Sequence, residues 1–214
     1  MLFLTLFKVT AAIALAVVGA IRGSQWIGAS YARRPDILTD AGAVYAQNAH
    51  RGARLAAVLG FLFCLAAWRI DGLLPTLAAL VLMYFCALFT FTDLEQRVIF
   101  DRMMIPFALL GIVFTILTGA GIFNHIGAAV VYGLVFLLLS ILTHGSLGGG
   151  DIKLVAALGL WVGSEHLLYI VLGGIVLSGL AAFLLLATRR LSRKDYLPYA
   201  PGFTIAAVFV TLLC

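Results

Sequence analysis

Apolar residues run along this chain in blocks of twelve to twenty-one, broken by short polar segments. A helix needs about 20 mostly apolar residues to cross a hydrocarbon layer about 30 Å thick, at a rise of about 1.5 Å per residue. The blocks predict eight membrane spans, at 2–21, 54–69, 73–92, 103–120, 126–143, 152–163, 167–187 and 200–213. The sixth and eighth are short. The longest polar stretch, 22–53, carries Gly23, Ser24, Arg33, Arg34, Pro35, Asp36 and Asp40 and is predicted as a loop with one short helix. It is too small to fold by itself. Residues 1–214 therefore read as a single integral-membrane domain, all-α, a polytopic bundle of about eight helices.

Composition agrees with that reading. The 214 residues are 64% hydrophobic and 11% charged, with a mean hydropathy of +1.13. A soluble domain is about 45–50% apolar and about 25% charged, so water is not the solvent for most of this surface. The partner implied is a lipid bilayer. The net charge of +5 does not point to nucleic acid, because the basic residues fall in alternate loops. Arg22, Arg33, Arg34, Arg51 and Arg54 lie in or at the edge of 22–53. Arg97 and Arg102 lie in 93–102, Lys153 in 144–153, and Arg189, Arg190, Arg193 and Lys194 in 188–199. The intervening loops hold only Arg69, and Lys8 lies inside the first span. Basic loops stay in the cytoplasm. The bias predicts N- and C-termini outside, with Asp93 and Asp151 both on the cytoplasmic face. The first span is longer than the apolar core of a usual signal peptide and is read as retained.

Cys64, Cys86 and Cys214 all lie in apolar runs without CxxC spacing and read as small hydrophobes. His50, His125, His144 and His166 are scattered. No zinc-binding spacing is present, and no metal is expected.

Asp93 ends the third apolar run, and Asp151 follows Gly148-Gly149-Gly150 at the start of the sixth. Carboxylates near hydrocarbon are expensive and mark function by default. Asp93 sits at the end of a helix dipole that is unfavourable for an anion, and Asp151 at the favourable end. Opposite environments can separate acid from base in a pair that shares one proton. Three glycines would let a peptide backbone approach Asp151 closely. From spacing alone, other readings stand beside a catalytic pair. Asp151 is a good helix N-cap, Asp93 could be merely interfacial, and the two could form an ion relay in a proton- or cation-coupled transporter.

The segment Asp93-Leu94-Glu95-Gln96-Arg97-Val98-Ile99-Phe100-Asp101-Arg102, running on to Ile105-Pro106, resembles the first aspartate motif of bacterial type IV prepilin peptidases. Gly148-Gly149-Gly150-Asp151-Ile152-Lys153-Leu154 resembles their GxGD motif. Pro198-Tyr199-Ala200-Pro201-Gly202 resembles their closing turn, and Gly23-Ser24 leading to Tyr31, Arg33 and Pro35 is a weaker echo. The resemblance implies an intramembrane aspartic endopeptidase of the bacterial cytoplasmic membrane. It would cut the basic leader from prepilins or pseudopilins after a glycine. Asp93 and Asp151 match the catalytic pair, with Gly148 and Gly150 supporting Asp151. Glu95 and Asp101 could draw in the basic leader by charge, or pair locally with Arg97 or Arg102. Many family members carry two CxxC pairs in the first cytoplasmic loop and also methylate the new N-terminus. Residues 22–53 hold no cysteine, which puts methylation in doubt. Cleavage needs no cofactor; S-adenosylmethionine would be needed only if methylation is retained. Presenilin-like proteases share GxGD, but their first aspartate follows a tyrosine, whereas Asp93 follows Thr92.

Overall fold

The computed structural model describes residues 2–144, 147–188 and 198–213, which form seven α-helices and no strand. They are α1 (Leu2–Arg33), α2 (Val44–Arg69), α3 (Leu73–Gln96), α4 (Asp101–Leu117), α5 (Ile122–Leu142), α6 (Gly149–Ala187) and α7 (Ala200–Leu213). Five helical stretches, those of α1, α2, α3, α5 and α6, are long and apolar enough to cross a membrane. The protein is an integral membrane protein. The basic residues at 189–194 and Cys214 lie outside the described residues.

The chain forms two compact units, Met1–Val98 and Ile99–Cys214. In the first, α1 lies along α2. Ala12, Ala16 and Ala20 are all 1% exposed. Their four-residue spacing puts them on one face of α1, where small side chains let helices approach closely. A Cβ on Gly23 would meet Leu88 Cδ2 at 2.8 Å and Leu55 Cδ2 at 3.1 Å, which fixes the approach of α1 to α2 and α3. Trp26 meets Phe85 edge to face at 6.0 Å. Lys8 donates through Nζ to the Ile70 carbonyl at 3.4 Å. A charged residue inside the first span thereby finds a carbonyl at the end of α2.

The polar stretch 22–53 is mostly helix, not the predicted loop. Helix α1 continues to Arg33 and α2 begins at Val44, with 3₁₀ turns at Pro35–Ile37 and Ala41–Ala43 between them. Hydrophobicity reports where hydrocarbon ends, and a helix need not stop there.

In the second unit, spans six and seven are not separated by a loop. They run through α6, two helical segments that meet at a break at Gly163, so the described residues form seven helices with α6 counted as one. At about 1.5 Å per residue, a straight helix of 39 residues would be about 58 Å long, nearly twice the hydrocarbon thickness. It is broken at Gly163, whose φ of 72° and ψ of −178° are essentially closed to other residues. Before the break α6 packs on α5: a Cβ on Gly159 would meet the Ala129 nitrogen at 2.7 Å, and one on Gly133 the Ala156 Cβ at 3.2 Å. After the break it packs on α7, where a Cβ on Gly202 would overlap the Ser178 hydroxyl. Helix α4 docks through Trp161, which donates to the Phe107 carbonyl at 2.9 Å and stacks on Phe107 and Phe114. Apolar side chains such as Leu109, Val113, Leu138 and Phe183 point outward, as lipid-facing positions do.

Candidate active site

Asp93 opens the last turn of α3, 6% exposed, between the buried Thr92 and Gln96. The helix stops four residues later because Arg97 turns left-handed (φ 53°, ψ 38°) and its N–H donates to the Asp93 carbonyl at 2.9 Å. The last carbonyls of a helix have no partner within it. Here side chains of the segment before α2 and of its first turn supply them: Gln47 Nε2 donates to the Glu95 carbonyl at 3.1 Å, and Thr39 Oγ1 to that of Gln96 at 2.7 Å.

Gln96 extends this joint. Its side-chain oxygen accepts from the Asp40 N–H at 2.9 Å. Its Nε2 donates to the Asp40 carbonyl and to Gln47 Oε1, both at 2.8 Å. Glu95 is held from α1 and α2. Arg51 Nε donates to both of its oxygens, at 2.8 and 3.1 Å, and the Tyr31 hydroxyl donates to Oε2 at 3.1 Å. Arg51 is fully buried, sits 5.0 Å from the Tyr31 ring centroid, and donates through Nη1 to Asn48 Oδ1. Its Nη2 has no partner among the described residues.

The local pairing expected for Glu95 is not the one found: its carboxylate pairs with Arg51, not with Arg97 or Arg102, and its side chain is 8% exposed. Arg51, Tyr31, Gln47 and Gln96 were not singled out as contacts of this turn. The contacts that tie them to this turn join residues 44 to 64 positions apart along the chain.

Asp151 belongs to the second unit. It lies in the first turn of α6, 9% exposed, and its N–H donates to the Gly148 carbonyl at 3.1 Å. A Cβ on Gly148 would come within 3.2 Å of Asp151 Oδ2. A Cβ on Gly150 would come within 3.1 Å of Ile99 Cβ, so this glycine admits the segment leading into α4. Asp101 accepts from Lys153 Nζ at 2.6 Å. Both of these side chains are more than half exposed, so the pair is worth little to stability. No group of three metal-ligating side chains occurs among the described residues.

The model of the type IV leader peptidase family matches residues 80–185, a segment that contains both aspartates. Over that segment the chain is similar to the type IV leader peptidase family. Curated relatives agree with it. The chain is 29% identical over 153 residues to the prepilin leader peptidase/N-methyltransferase of Neisseria gonorrhoeae, covering 69% of this chain and 52% of that protein. Proteins of the same name are 29% identical in Bacillus subtilis, covering 72% and 63%, and in Aeromonas salmonicida, covering 61% and 47%. The matched regions span about half to two thirds of these relatives' length. No solved structure matches significantly.

Proposed function

We propose that this chain is an aspartic endopeptidase of the leader-peptidase family. It removes the basic leader of type IV prepilins or pseudopilins, after a glycine, at the cytoplasmic side of the bacterial inner membrane. The observation that carries the reading is the family match over 80–185, which takes in Asp93 and Asp151, each nearly buried at the end of an apolar helix. In the reaction proposed, the two carboxylates hold one proton between them. The ionised one takes a proton from water as the water oxygen bonds to the scissile carbonyl carbon. The protonated one gives its proton to the carbonyl oxygen. The resulting gem-diol collapses as one hydroxyl proton passes to the second carboxylate, the C–N bond breaks, and the amine leaves with the proton held by the first carboxyl.

The relatives' names include N-methyltransferase. Methyl transfer would need S-adenosylmethionine, a cofactor bearing an adenine ring, two ribose hydroxyls and an ammonium. The first unit has an open recess of about 440 Å³ between α1 and α2, lined by Ile21, Ser24, Gln25, Gly28, Asn48 and Gly52. This lining offers no carboxylate for the hydroxyls or the ammonium and no aromatic ring for adenine. The recess does not fit that donor.

The test is cleavage in membranes. Wild type, Asp93→Asn and Asp151→Asn are each co-expressed with a panel of prepilins, and product masses are measured. Cleavage by wild type alone, between glycine and the hydrophobic stem, is the expected result. A drop of about 1,000-fold or more is expected for either variant, as for other members of a unit that acts together. Robust cutting by either variant overturns the assignment.

A further inference from the structure

We propose that Gln96 and the buried Arg51–Glu95 pair are positioning residues for Asp93, locking the turn of α3 that carries it to segment 34–51. The inference rests on Asp93 being one of the two catalytic carboxylates.

Gln96 is chemically specific at its place. It accepts from the N–H and donates to the carbonyl of one residue, Asp40, at 2.9 and 2.8 Å. A glutamate has the same shape but no donor, and would set a carboxylate against two acceptors, the Asp40 carbonyl and Gln47 Oε1. Asp93 and Gln96 are three residues apart and share one face of the helix, so whatever fixes Gln96 fixes the rotation of Asp93. The Asp93 carbonyl itself closes the left-handed cap at Arg97. The turn cannot slide or unwind without breaking the bonds from Thr39, Gln47, Arg51 and Tyr31 to its last two residues.

Simple termination of a helix does not require this. An exposed cap would satisfy the same carbonyls. Here a guanidinium is withdrawn completely from solvent to hold one carboxylate, with Nη2 left without a partner among the described residues. Buried ion pairs are weak devices for stability, and fixing a single arrangement is one reason to retain them. A catalytic carboxylate gains most from such fixing, because about 1 Å of misplacement can cost about 100-fold in rate.

The experiment measures kcat, KM and the pH profile of kcat for the full chain in membranes with a prepilin substrate. The variants are Gln96→Glu, Arg51→Lys and Thr39→Val, with Asp93→Asn as control. Gln96→Glu and Arg51→Lys are expected to lower kcat per folded molecule about 10- to 100-fold, with KM within about twofold of wild type. Gln96→Glu is also expected to displace the pH profile. Thr39→Val removes one bond at the edge of the joint and is expected to lose about threefold in kcat. It carries the test if the other two variants fail to accumulate. Wild-type kcat per folded molecule in all variants that accumulate would show that the joint only stabilises, and overturns the inference. So would a raised KM at unchanged kcat, which would make these residues leader contacts. Should wild type not cut, or Asp93→Asn cut well, the function reading fails and takes the inference with it. A dead Asp93→Asn beside active joint variants rejects the inference alone.

Discussion

Arg51 and Arg34 lie seventeen residues apart, and burial makes them energetically unlike. Arg34 donates to Asp36 in water, where its hydrogen bonds hold the Asp36 carboxyl below the usual carboxylate range. That lowering contributes stability above the unfolded pKa and loses it as pH falls through the folded one, yet so exposed a pair contributes little. Arg51 has no water to fall back on. Arg51→Met would leave the Glu95 carboxylate buried without its cation, and about 3–5 kcal/mol of stability should be lost. Adding Glu95→Gln removes the stranded charge and should restore most of it. Thermal unfolding in detergent, with Asp36→Asn as an unchanged reference, measures all three. A double variant no more stable than Arg51→Met would refute the account. The two aspartates were legible in the sequence because a carboxylate at the edge of an apolar block stands out. Arg51 was counted among the loop charges because a single chain of letters does not show that its partner is Glu95.

Helices were legible wherever hydrocarbon defines them, and less so where it does not. The reading ended α1 near residue 21 because the apolar block ends there, whereas the helix runs on to Arg33. It started α2 at 54 for the same reason, ten residues beyond the observed Val44. The converse holds in α6: apolar residues continue on both sides of the break, and only Gly163 departs from helical backbone. Gly163→Ala should therefore cost at least about 1–3 kcal/mol, with more from a Cβ placed 2.9 Å from Asn124 Nδ2. Gly179→Ala, in the same helix with nothing within 4 Å of its Cβ, should instead stabilise by about 0.5–1 kcal/mol. The opposite signs should appear as opposite shifts in thermal midpoint. Equal shifts would mean that the Gly163 geometry is not what turns the chain.

At the scale of the whole molecule, composition alone identified the solvent. With five helical stretches able to cross a bilayer, the protein should stay in the membrane pellet through high salt and alkaline carbonate. Release by carbonate would contradict an integral protein. What the letters could not convey is the division into two compact units at Val98, since the loop around it carries no linker composition. The family-matched segment runs across that boundary, with one aspartate on each side. Nor could they show that the polar stretch after the first span is a structural partner of α3, because every contact it makes there is long-range.

The side chains described as gripping the last residues of α3 precede it in the chain: Tyr31, Thr39, Gln47 and Arg51, together with the backbone of Asp40. Chains are made from the N-terminus and fold as they emerge. These groups and the turn they hold are thus all present once Arg97 has left the ribosome, more than fifty residues before Asp151 is added. The two carboxylates differ in history as well as in surroundings. The turn that carries Asp93 can be set while the protein is still being translated, before Asp151 has been made.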